Sequence, residues 1–190
     1  MNAAAGLGVR PARQADLDAI TAIYAHHVGI GTASFELDAP DAAEMTRRWR
    51  DVVDRGLPYL VAEADAAVVG FAYAGPYRPR PAYRFTVEDS VYVRADLARR
   101  GIGARLLTAL ISAAEAFGAR QMIAVIGDSA NAPSIRLHEA AGFVQFGVMM
   151  SVGWKFERWL DVVLMQRALG PGDTTPAASP RGRVTGQRSP

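Results

Sequence analysis

The sequence predicts one mixed α/β domain, with a sheet that is part antiparallel and part parallel and is flanked by helices. Three observations predict it. Half of the 190 residues are hydrophobic and 21% are charged, which is enough apolar matter for a sizeable core and argues against wholesale disorder. Along the chain, apolar residues recur in some segments with the period of a helix and in others with that of a strand. The resulting order, β-α-α-β-β-β-α-β-α-β-β, combines hairpin-connected strands with strand–helix–strand units, and that requires both kinds of pairing in one sheet.

The elements follow from the residues. Leu7 to Arg13 forms a short first strand. Asp16 stands as an N-cap, and Leu17, Ile20, Ile23, Tyr24 and Val28 follow at helical spacing. Pro40-Asp41 opens a second helix through Met45, Trp49, Val52 and Val53, and Gly56 ends it. Pro58 to Ala64 and Ala67 to Gly75 form a hairpin turning at Asp65-Ala66. Pro76 to Arg84, with three Pro and three Arg, is a loop. Val87 to Arg94 is a strand. Gly101 to Phe117 is a helix with Ile102, Leu106, Leu107, Leu110, Ile111 and Ala114 on one side, closed by Gly118. Gln121 to Ile126 is a buried strand and Asn131 to Ala141 a short helix ending at Gly142. Phe143 to Val152 and Trp159 to Leu169 close the sheet, which therefore has seven strands. Residues 1–8 are expected to be flexible, 9–169 to form the domain, and 170–190, rich in Pro, Gly, Ser and Thr, to be a disordered tail.

Composition excludes several chemistries. There is no Cys, hence no disulfide framework, thiolate metal site or Cys nucleophile. His26, His27 and His138 are the only histidines, and their spacing suggests no zinc site. No metal is expected. No apolar run is long enough to span a membrane, and Met1 to Gly8 lacks the form of a signal peptide, so a cytoplasmic enzyme is expected. The net charge of +2 is accounted for by Arg181, Arg183 and Arg188 against Asp173 in the tail. The remainder is about neutral, and no nucleic-acid-binding patch is indicated.

One segment carries a chemical signal. Strand Val91-Tyr92-Val93 runs through a short connection into Arg99-Arg100-Gly101-Ile102-Gly103-Ala104, which starts a helix. Glycines allow close backbone approach, and the free N–H groups and dipole of a helix start favour an anion such as a pyrophosphate. By itself the pattern fits an anion site or a tight turn with helix–strand packing equally well. A dinucleotide fingerprint fits less well, because Leu106 stands where its third glycine would be.

From Val9 to Leu169 the chain resembles the GNAT superfamily of acetyltransferases. The resemblance rests on Val91-Tyr92-Val93, on the Arg100-Gly101-Ile102-Gly103 motif, and on Asn131-Ala132-Pro133-Ser134 before Leu137 to Phe143. Within the superfamily it is similar to the phosphinothricin and methionine sulfoximine N-acetyltransferase branch, through Phe85 to Val93, Asn131 to Phe143, and Gly153-Trp154-Lys155-Phe156-Glu157-Arg158-Trp159-Leu160-Asp161-Val162. The resemblance implies acetyl-CoA as co-substrate, a small amino-acid-like acceptor acetylated on its α-amine, and a homodimer.

Carried onto this sequence, the resemblance gives the backbone of Val91, Tyr92 and Val93 to the pantetheine arm and Arg99, Arg100, Gly101, Ile102, Gly103 and Ala104 to the pyrophosphate. Asn131 and Ser134 go to the far end of the pantetheine and the thioester region. Arg78, Pro79, Arg80, Glu88, Asp89 and Ser90 fall where the acceptor binds, and Glu88 matches the proposed general base. His138 stands where many members carry Tyr as a proton donor to the leaving thiolate, and it is read either as a proton relay or as a packed helix residue. Ala98 replaces the Gln or Arg that many members carry three residues before the first glycine, so the phosphate contacts rest on backbone amides. His26 and His27 are read as structural or solvated, and Trp154, Phe156 and Trp159 as core or interface packing. A different small amine or a protein N-terminus as acceptor, and a non-catalytic CoA-binding module, are the competing readings.

Overall fold

The computed structural model describes residues 6–177. Its sheet has seven strands: β1 (Gly8–Pro11), β2 (Tyr59–Ala64), β3 (Ala67–Pro76), β4 (Thr86–Val93), β5 (Gln121–Gly127), β6 (Val144–Lys155) and β7 (Arg158–Ala168). Four helices accompany it: α1 (Leu17–Ile30), α2 (Ala42–Val53), α3 (Ile102–Phe117) and α4 (Ala132–Ala140). The strand order is β1-β2-β3-β4-β5-β7-β6. Only β4 and β5 pair in parallel; all other neighbours are antiparallel. The mixed seven-stranded sheet is the one expected.

The helices divide between the two faces, as strand alternation shows. Phe71 and Tyr92 turn their rings toward Tyr24 of α1. On the adjacent positions, Gly70 and Val93 meet α3: a Cβ at Gly70 would lie 3.0 Å from a Leu106 methyl, and one at Gly103 3.7 Å from Val93. The predicted stripes of α1 and α3 are the buried ones, and Leu106, Leu107 and Leu110 are fully enclosed.

Three local expectations are revised. Asp16 does not cap α1 with its side chain. Its carboxylate instead accepts the Arg13 N–H at 2.7 Å, closing a single 3₁₀ turn before the helix, and takes two bonds from Arg10. The last two strands run on to Lys155 and from Arg158, meeting in a two-residue turn in which Phe156 and Glu157 both have positive φ (49° and 55°). Such a turn normally calls for Asn-Gly or Asp-Gly, so nothing local announced it. The signature segment is also explained by long-range contacts: Arg158 pairs with Asp128 at 2.6 Å, and Asp161 accepts from the Ser129 hydroxyl at 2.7 Å and the Ser151 N–H at 2.9 Å. Third, Trp154, Phe156 and Trp159 are 55%, 49% and 61% exposed, which removes the core half of the core-or-interface reading and leaves the interface half.

At the chain ends, residues 1–5 and 178–190 lie outside the described residues. The start of the expected tail touches the domain, where Arg120 donates to the carbonyls of Gly172 and Thr175 at 2.7 and 2.8 Å. Among the described residues no helix is long and apolar enough to cross a membrane.

Candidate active site

The site begins with a pair of strands that part. β4 and β5 are paired only from Thr86↔Gln121 to Asp89↔Ala124, while β4 continues to Val93 and β5 to Gly127. The bonds Tyr77 N–H to Thr86 C=O (3.3 Å) and Arg94 N–H to Val69 C=O (3.0 Å) fix the phase of the β3–β4 ladder. By alternation, Glu88, Ser90 and Tyr92 turn their backbone groups to β3, and Asp89, Val91 and Val93 turn theirs toward β5. Past Asp89 there is no β5 partner. Val91 keeps a free N–H and C=O, and Val93 a free N–H. The Val93 carbonyl is taken by the Nε2–H of His27 at 2.8 Å, and burial holds the His27 pKa below its ordinary value, as suits a neutral ring donating from Nε2. Of the three residues expected to bind through the backbone, Tyr92 thus belongs to the β3 ladder. The cleft left by the parting strands is about 60 Å³ and is lined by Ser90, Val91, Gly127, Asn131, Ser134 and His138 among others.

At the far end of β4 the chain makes a 3₁₀ turn, Ala95–Leu97, and enters α3 through two left-handed residues, Arg99 (φ 61°) and Gly101 (φ 79°). The first bond of the helix runs from Arg105 N–H to Gly101 C=O at 3.1 Å. The N–H groups of Ile102, Gly103 and Ala104 therefore have no intrahelical acceptor, and no side chain caps them. Left-handed residues beside a helix start gather N–H groups into an anion-binding concavity, and Arg99 and Arg100 stand exposed beside it. These unpaired amides suit a pyrophosphate, and the open edge of β4 suits an extended amide-bearing arm, so the residues present fit acetyl-CoA.

On the α3–α4 side of β4, Asp89 and His138 form a buried pair, with Nε2 to Oδ2 at 2.9 Å and residue exposures of 7% and 4%. His138 Nδ1 donates to the Ser134 carbonyl at 2.8 Å. Both ring nitrogens face acceptors, an arrangement that favours the doubly protonated, charged ring. Burial works against that charge, but the hydrogen bond and charge of Asp89 outweigh it and raise the His138 pKa above its ordinary value. The other Asp89 oxygen, Oδ1, is buried without a partner. Asn131 caps α4, its Oδ1 accepting the Ser134 N–H at 3.3 Å.

Glu88 points to the opposite face, with α1. Desolvation first, then the charge of Asp89, raises its pKa above the ordinary carboxylate value, while Arg78 opposes the rise. Ser90 and Tyr92 share this face. Asp89 does not: of the expected acceptor set Glu88-Asp89-Ser90, its middle member belongs to His138 on the other side. Arg78, Pro79 and Arg80 are exposed on the β3–β4 connection, with the Arg78 guanidinium 5.1 Å from the Tyr77 ring centroid. The other walls of this face come from α1, the segment after it, and β2 and β3. Tyr24 donates from its hydroxyl to Glu36 at 2.9 Å, and its oxygen lies 3.0 Å from the Ser34 hydroxyl. Tyr73 stacks on Tyr59 with centroids 5.0 Å apart. No motif marks these residues.

The chain matches the model of the Acetyltransferase (GNAT) family over residues 21–143. It is 59% identical over 167 residues to a phosphinothricin N-acetyltransferase of Alcaligenes faecalis, covering 88% of this chain and 85% of that one. It is 45% identical to an L-methionine sulfoximine/L-methionine sulfone acetyltransferase of Pseudomonas aeruginosa, covering 88% and 98%. Among solved structures it superposes with a TM-score of 0.88, at 45% identity over 90% of this chain and 93% of the other, on a GNAT superfamily phosphinothricin acetyltransferase from Sinorhizobium meliloti in complex with acetyl-CoA. The chain belongs to the acetyltransferase (GNAT) family and is an N-acetyltransferase that uses acetyl-CoA.

Proposed function

We propose that the protein acetylates the α-amine of a small amino acid of the phosphinothricin or methionine sulfoximine type, with Glu88 as general base. The observation that carries this is the placement of Glu88: a half-buried carboxylate of raised pKa, on the face opposite the anion cradle, beside the gap between β4 and β5. The donor enters from the α3–α4 side and the amine from the α1–α2 side, and the two meet where the strands part. Acetyl-CoA supplies the activated acyl group. An α-amine, with a pKa of about 8, is mostly protonated at neutral pH, and Glu88 removes that proton before attack. The free Val91 amide is a donor toward the carbonyl that is attacked. His138, whose two ring nitrogens are committed to Asp89 and Ser134, holds α4 against β4 on the donor side.

The relatives named for phosphinothricin and for methionine sulfoximine support this acceptor class. The test is thiol release from acetyl-CoA with a panel of amines that includes both amino acids, other small amines and a peptide N-terminus. Release with the two amino acids is expected; release only with peptides would redirect the reading, and no release at all despite CoA binding would make the chain a binding module. The acid limb of kcat/KM against pH is expected to show a pKa above the usual 4.5 of a glutamate, because Glu88 must lose its proton to act. An acid limb at or below 4.5 would count against it.

Arg78 and Arg80 stand at the mouth of this face, where a guanidinium can pair with the carboxylate or phosphinate of the acceptor. Replacing either by Ala is expected to raise the acceptor KM several-fold while leaving that of acetyl-CoA nearly unchanged; steady-state kinetics with each substrate varied in turn decides it. A homodimer is part of the same reading. β6 is an edge strand that exposes Val144, Phe146, Val148, Met150, Val152 and Trp154. An apolar edge of that length is a natural seat for a second copy.

A further inference from the structure

The only lysine of the chain is buried and forms no salt bridge among the described residues, although the charge of Glu36 reaches it. Lys155 ends β6 at 3% exposure. Its ammonium donates to three main-chain carbonyls: Val28 at 2.8 Å, Gly31 at 2.9 Å and Ser34 at 2.8 Å. An ammonium has three donors, and all are used. The acceptors belong to the last turn of α1 and to the segment that follows it. Carbonyls at a helix C-terminus lack helical partners and carry the negative end of the dipole, so a compact cation suits them.

The segment held in this way, residues 31–36, has little regular bonding of its own: Gly31 N–H returns to His27 C=O at 3.0 Å, and Glu36 N–H meets the Ser34 hydroxyl at 3.2 Å. It is pressed onto the sheet at two further points. A Cβ at Gly127 would collide with the Thr32 carbonyl, and one at Gly153 with the ring of Phe35. Ala33 lines the β4–β5 cleft. Ser34 and Glu36 meet the Tyr24 hydroxyl, and Arg48 holds Glu36 at 2.6 Å. These groups stand on the α1 face, which is also the face of Glu88.

We infer that Lys155 is a positioning residue for the acceptor: it touches no substrate, but by gathering the carbonyls of Val28, Gly31 and Ser34 it fixes the Ala33–Glu36 wall against which the amino acid binds. The inference rests on the proposed acceptor face. A wall ordered before binding spares the acceptor the entropy of ordering it, so loss of the clamp weakens acceptor binding and leaves the donor site, on α3 and the open edge of β4, as it was. Arginine is a poor substitute, because a planar fork cannot bring three bonds to one point.

The test compares wild type with Lys155→Met and Lys155→Arg, using phosphinothricin and methionine sulfoximine as acceptors, well below each variant's melting temperature. Lys155→Met is expected to raise the acceptor KM about tenfold or more and to change the acetyl-CoA KM less than about twofold, with Lys155→Arg restoring little. Equal rises for both substrates, or an unchanged acceptor KM in a folded variant, overturn the inference. The wild-type protein supplies a second measurement that needs no variant. Acylation of its single lysine by an amine-reactive ester, followed by mass spectrometry, is expected to slow several-fold with phosphinothricin present, relative to an equal concentration of taurine as an amine that consumes the ester in the same way, and not with acetyl-CoA alone. A rate indifferent to the acceptor overturns the inference. If wild type releases no thiol with either amino acid, the acceptor reading fails and this inference with it; release combined with an unchanged acceptor KM in Lys155→Met defeats the inference alone.

Discussion

Replacing Glu88 by Gln is expected to lower kcat more than tenfold while acetyl-CoA still binds with its wild-type affinity. The side chain keeps its size and half-buried position, so the change removes the base and little else. General-base assistance is worth on the order of 10²–10⁴ in rate, and the protonated fraction of an α-amine at neutral pH sets how much of that is needed. The proposed donor site lies apart from it, at the α3 N-terminus and on the backbone of Val91 and Val93 farther along β4. Binding of acetyl-CoA by calorimetry and turnover by thiol release separate the two effects. Near-normal turnover in the purified variant would remove Glu88 from the role.

His138→Leu is expected to cost about 3–5 kcal/mol of stability, the usual penalty for breaking a buried ion pair from one side. The reason lies in Asp89, which is 7% exposed and has one oxygen already without a partner. Removing the imidazolium leaves the carboxylate buried with neither oxygen satisfied, and α4 loses its tie to β4. Urea denaturation of the variant measures this. The double variant Asp89→Asn with His138→Leu is expected to be more stable than the single His138→Leu, because no uncompensated charge remains. The sign of the pH dependence follows from the direction of the shift. The folded-state pKa of His138 lies above its ordinary 6.5, so the contribution of its protonation to stability is complete below about 6.5 and fades as pH rises through the folded value. The stability gap between wild type and variant should therefore narrow on the alkaline side. A loss below about 1 kcal/mol near pH 6 would show that the pair does not hold α4 to the sheet.

The sequence exposed what short-range patterning can encode. A helical stripe such as Leu106, Leu107, Leu110 and Ile111 is read from neighbours three and four apart, and the structure buries it. The glycine at the start of α3 was legible because Gly101 tolerates a left-handed backbone that most residues avoid, and that backbone is present at φ 79°. The turn at Phe156-Glu157 was not legible: it adopts a conformation whose usual residues it lacks, held by the pairing of β6 with β7 on either side.

The sequence by itself thus determined the order of elements and the core stripes, and its resemblance to a family pointed to the segment proposed to cradle an anion and to Glu88. The tertiary structure decided which face each group serves. Glu88 and Asp89 are adjacent in the chain and opposite in the sheet, because successive strand residues point to opposite sides. Asp89 finds its partner in a histidine 49 residues away, and Lys155 in a carbonyl 127 residues away. Contacts of that span leave no local periodicity, and only the closing of the sheet around β4, β5 and β6 brings their partners within hydrogen-bond distance.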